Sequence, residues 1–131
     1  LPGPPVAGDS ADAPAVPRVL ADGTLCVACR PSPGLAVSTD GGQTWNLALR
    51  DRIILNACSA PAGSGREATL FAFDSTGTLH RSDDRGGSFT VVKETRHQWQ
   101  PGLRFAGGLA VSHKGKVMLW ALGELVVSSD W

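Results

Sequence analysis

The chain has 131 residues, enough for one domain with a modest core. Its 12 Lys and Arg balance its 12 Asp and Glu, so no global charge draws it to nucleic acid or to an anionic membrane. Sixteen glycines and nine prolines, with no sustained helical period and no apolar run near the roughly 20 residues that span a bilayer, predict short strands joined by turns.

Residues 1–15 are rich in Pro, Ala, Gly and Asp, have little to bury, and read as an extended arm. The opening Leu1-Pro2-Gly3-Pro4-Pro5 has neither an initiator Met nor the layout of a signal peptide, so processing or truncation is expected to have removed what came first. Residues 16–131 divide into units at about 16–50, 51–94 and 103–131. In the first, Arg18–Ala21, Thr24–Cys29, Leu35–Ser38 and Trp45–Leu49 read as four strands, with Asp22-Gly23 as a turn and Pro31 and Pro33 forcing a loop out of the ladder. The second repeats the order as Leu55–Ser59, Thr69–Phe73, Thr78–Ser82 and Phe89–Lys93. The third offers Gly108–Ser112, Lys116–Trp120 and Leu125–Ser128, and its fourth strand is missing.

One frame punctuates these units. It reads Ser38-Thr39-Asp40-Gly41-Gly42-Gln43-Thr44-Trp45, returns as Ser82-Asp83-Asp84-Arg85-Gly86-Gly87-Ser88-Phe89, and begins again at Ser128-Ser129-Asp130. The spacing belongs to repeat architectures. A Ser and an Asp two residues apart can both engage backbone N–H groups in a tight turn, the glycine supplies an angle that other residues avoid, and the closing aromatic packs under the turn. Such a frame holds a hairpin shut and needs no catalytic role.

These residues resemble the Asp-box, or BNR, repeat of the sialidase-type β-propellers. That superfamily includes sialidases, xyloglucan-degrading hydrolases, sortilin-type receptors and photosystem assembly factors. The resemblance implies an all-β fold of four-stranded antiparallel up-and-down blades, about three here with the last incomplete. It also implies that the boxes lie on the outer edge, away from the ligand face. Ser38, Asp40, Gly42, Trp45, Ser82, Asp84, Gly86, Phe89, Ser128 and Asp130 are therefore expected to be structural. A secreted or lumenal location is what the resemblance favours.

In an up-and-down blade the 1–2 and 3–4 turns share one rim, so a ligand is expected on the other, with the 2–3 loops and the links between blades. That rim holds Arg52, Asp74, and the link segment with Arg96, His97, Trp99 and Arg104, the most site-like stretch of the chain. Arginine forks grip carboxylates and tryptophan faces stack on sugars or cations, so an anionic glycan or an acidic peptide suits it. Asp51 and Asp74 are the carboxylates a xyloglucanase-like pair would draw on. The resembling sialidases use a tyrosine nucleophile, and this chain contains no tyrosine, so no complete sialidase set is present. No P-loop, zinc-ligand set or Ser-His-Asp arrangement stands out, and no metal or cofactor is expected. Cys26 and Cys29 form a CxxC, but three residues apart on a strand they point to opposite faces, and with Cys58 they are expected to be buried free thiols, a bridge from Cys58 being open if the compartment is oxidising.

The expected function is that of a binding or assembly module with a protein or glycan ligand, the alternative being a glycoside hydrolase fragment whose catalytic groups lie partly elsewhere. Three blades cannot close a ring, since propellers use about four to eight. Further blades of a parent chain, or a second copy, are expected to complete it.

Overall fold

The computed structural model describes residues 17–29, 32–94, 107–112, 114, 116–121 and 124–128. They form eleven strands and no helix: β1 (Arg18–Val19), β2 (Leu25–Ala28), β3 (Leu35–Ser38), β4 (Asn46–Ala48), β5 (Ile54–Ser59), β6 (Leu70–Asp74), β7 (Thr78–Ser82), β8 (Thr90–Glu94), β9 (Gly107–Val111), β10 (Val117–Ala121) and β11 (Glu124–Ser128). Every pairing is antiparallel between sequence neighbours. The sheets are β1-β2-β3-β4, β5-β6-β7-β8 and the three-stranded β11-β10-β9. These are propeller blades, the last incomplete among the described residues, and each strand lies within about two residues of its sequence-predicted position. No described helix is long and apolar enough to cross a membrane.

The middle strands explain the packing. β3 and β6 are buried along their whole lengths, so both faces are covered, which is why Leu-Ala-Val-Ser and Leu-Phe-Ala-Phe read as unbroken runs rather than alternating ones. Alternation sorts the side chains between two interfaces. Cys26, Leu35 and Val37 of the first blade pack with Leu70 and Ala72 of the second, joined by Leu20, Ile54 and Ala57. Phe71, Phe73 and Leu79 point the other way and pack with Leu109 and Val117 of the third blade. Removing Phe71 or Phe73 to alanine would cost about 3–5 kcal/mol at positions this enclosed.

Two irregularities tune this sorting. On β5 the register slips between Ile54 and Asn56, leaving Leu55 as an extra residue. Ile54 and Ala57, three apart, can then both face the first blade while Leu55 and Cys58 face the third. On β8 the slip leaves Val92 extra between Val91 and Lys93. All five residues of this outer strand are exposed, and a bulge twists such an edge away from foreign strands.

Candidate functional site

The two complete copies of the repeated frame adopt one geometry. In the first, Ser38 is fully buried; its Oγ donates to Asp40 Oδ1 at 2.8 Å and accepts from the Gly42 amide at 2.9 Å. Asp40 Oδ1 also accepts from the Thr44 amide at 2.9 Å, and Oδ2 accepts from the Thr44 hydroxyl. In the second, Ser82 donates to Asp84 at 2.6 Å and accepts from the Gly86 amide at 2.8 Å, while the Ser88 amide and hydroxyl donate to Asp84 at 2.8 and 2.6 Å. The glycines take φ of 95° and 88°, the left-handed region that the turn requires. The Thr44 hydroxyl and amide and the Ser38 hydroxyl hold Asp40 down at about 2. Ser82 and Ser88 hold Asp84 at about 2. Both carboxylates are thus strong acceptors engaged inside their own turns.

The closing aromatics differ in detail. Trp45 Nε1 donates to the Gly42 carbonyl at 3.1 Å, while Phe89 packs against the core between the first two blades. Ser128 ends β11 opposite Val117, and Asp130 lies outside the described residues.

On the opposite rim, two of the candidate residues meet. Arg52, in the link before β5, places Nη1 3.3 Å from Asp74 Oδ2 and 3.0 Å from Thr76 Oγ1. Asp74, at the end of β6, is 0% exposed. Its Oδ1 accepts from the Thr76 amide at 2.9 Å, the Thr76 hydroxyl at 2.6 Å and the Thr78 amide at 3.1 Å, while Oδ2 receives His80 Nε2 at 2.7 Å. Burial pushes this carboxyl up, but the bonds from His80, Thr76 and Thr78 outweigh it and hold the group at about 2. Five donors leave the carboxylate no open acceptor position. A glycosidase-type pairing with Asp51, whose side chain is 85% exposed, would need both carboxyls open to one cleft, and Asp74 is enclosed. Arg96, His97, Trp99 and Arg104 lie outside the described residues.

His80 is the residue that reading the sequence for exposed chemistry passes over. It is 4% exposed and opposes Ala72 across β6 and β7, which places it on the face turned toward the first blade. The signal was there. Matching Ser38 with Ser82 aligns Cys29 with Asp74 and Ala36 with His80, so an apolar pair in one unit is an acid–base pair in the next.

The cysteines separate as their spacing implies. Cys26 lies in the core between the first two blades, Cys29 packs with Val27 and Ala36 on the other side of its sheet, and Cys58 packs toward the third blade. All three are free. Burial raises Cys26 to about 11 and Cys58 to about 12, and raises Cys29 as well. These are inert thiols rather than nucleophiles. Among the described residues, no group of three or more His, Cys, Asp or Glu could hold a metal ion.

Comparison with protein-family models and with curated proteins returns no match.

Proposed function

We propose that the chain is a binding and assembly module of the Asp-box propeller type, whose two end faces join copies of the chain head to tail. One observation carries this. Register makes three pairs equivalent: Cys26 with Val37, Phe71 with Arg81, and Met118 with Val127. Cys26 is 0% exposed and Phe71 1%, because the following blade covers each; Met118 is 45% exposed and Val127 50%. The third blade thus leaves an apolar pair exposed where Cys26 and Phe71 are covered in the first two.

In the purified chain the occupant is the first blade of a second copy. Phe89 packs into the interface with the preceding blade, and its counterpart Trp45 packs with Leu47 over Val27, Cys29 and Ala36 on the corresponding face of the first blade. A head-to-tail contact would set Met118 and Val127 against Trp45 and Leu47, a heterologous interface that closes a ring if the rotation permits. The rim with Arg52 then presents the surface for a protein or glycan ligand, since the carboxylates on the other rim are held within their turns.

Light scattering on the purified chain tests the assembly. A mass that is a multiple of one chain and falls to a single chain in Met118→Asp is expected, whereas a folded monomer at every concentration contradicts the proposal.

A further inference from the structure

A second surface lies on the rim that carries the repeated turns, and it is independent of the end faces. There the β1–β2 turn of the first blade, the loop before β6 and the second Ser–Asp turn enclose a groove of about 560 Å³, lined by Asp22, Arg66, Glu67, Thr69, Asp83 and Arg85.

Arg85 is the unusual member. It holds φ of 61°, at the position that the first copy of the frame gives to Gly41 at φ 75°. A side chain there costs about 1–2 kcal/mol, which a residue with no role would avoid. Its amide donates to the Ala68 carbonyl at 3.1 Å, and its Nε lies 2.7 Å from Asp22 Oδ2 on the neighbouring blade. Asp22 is anchored in turn by accepting from the Thr24 amide at 2.9 Å. The guanidinium is pinned through Nε and its side chain is 56% exposed. A planar fork held this way is preorganised for a carboxylate.

The rest of the groove selects against a purely acidic ligand. Asp83 is taken up by Arg81 at 2.9 Å and by the Thr69 hydroxyl at 2.9 Å. Glu67 accepts from the Gly63 and Gly65 amides at 3.0 and 3.3 Å through Oε1, and its own backbone amide together with these bonds holds it below the ordinary carboxylate range and so keeps it charged. The groove thus presents an exposed guanidinium and, a short way along, a charged carboxylate.

We infer that this groove docks a protein segment of mixed charge, the Arg85 fork receiving a partner Asp or Glu and Glu67 receiving a partner Lys or Arg. The complementarity is charge for charge, so binding weakens as salt rises.

The test uses short acetylated, amidated peptides of alternating Glu and Lys, of Glu alone and of Lys alone, titrated by NMR chemical-shift perturbation. The alternating peptide is expected to bind and to perturb the amides of 65–69 and 83–86. Arg85→Gln and Glu67→Gln should each weaken it about 10-fold or more, while Arg50→Gln on the opposite rim should not. Failure of the alternating peptide to bind at millimolar concentration, equal binding of the all-Glu peptide, or indifference to both groove substitutions in folded protein would each overturn the inference.

Discussion

His80 Nε2 lies 2.7 Å from Asp74 Oδ2, with the two side chains 5% and 0% exposed, on the face of the second blade that meets the first. A buried acid–base contact of this kind is weak evidence of stabilisation as a pair but costly to break on one side. His80→Ala, which strips one donor from an enclosed carboxylate, should cost about 2 kcal/mol in urea unfolding. Asp74→Cys with His80→Ala restores the residue types of the first unit and should cost less than the two single changes summed. A loss below about 0.5 kcal/mol for His80→Ala would show the contact to be immaterial.

Acid should find the same group. Asp74 titrates at about 2 when folded, against an ordinary 3.8. A folded value below the unfolded one means that the stabilisation is complete above 3.8 and is lost as pH falls from there through about 2. The part due to Asp74 is about 2 kcal/mol. The stability gap between wild type and Asp74→Asn should therefore narrow between pH 7 and pH 2. A gap of constant size would assign the acid sensitivity elsewhere.

The fold was legible because its signals were local: two copies of one hairpin turn, and apolar runs whose length matched strands covered on both faces. The placement of Arg52 and Asp74 on one rim was legible from topology alone. What topology could not give was their exposure. Asp74 looked available because it closes a strand beside a polar turn, Asp74-Ser75-Thr76-Gly77, yet that turn supplies the donors that enclose it. His80 was hidden because its meaning depends on register, where Ala72 opposite and Ala36 in the preceding unit mark the position as inward.

Two glycines in the repeated turns should respond differently to alanine. Gly86 has φ of 88°, and a Cβ there would stand 3.0 Å from Val37 Cγ2 of the neighbouring blade; Gly41 has φ of 75° with nothing within 4 Å. Gly86→Ala combines backbone strain with a steric clash and should cost about 3 kcal/mol, against about 1 kcal/mol for Gly41→Ala. Thermal melts of the two variants check the order. Equal losses would mean that the second turn does not press on the first blade.

The thiols should be silent. Cys26 and Cys58, raised to about 11 and 12 by burial, should react with an aromatic disulfide reagent at pH 8 only as fast as the protein opens. All three cysteines should be counted once urea is added. A rapid stoichiometric burst from native protein would contradict the packing between blades.

Met118 is the only methionine in the chain and stands at the centre of the exposed face on the third blade, opposite Ala110 and Val127. Its oxidation by peroxide, followed as the gain of one oxygen by intact mass, reports directly whether that face is covered. If copies join there, the rate constant should fall as protein concentration rises and should become independent of concentration in Trp45→Asp, which spoils the opposing face. A wild-type rate constant that does not change with concentration would contradict the head-to-tail assembly.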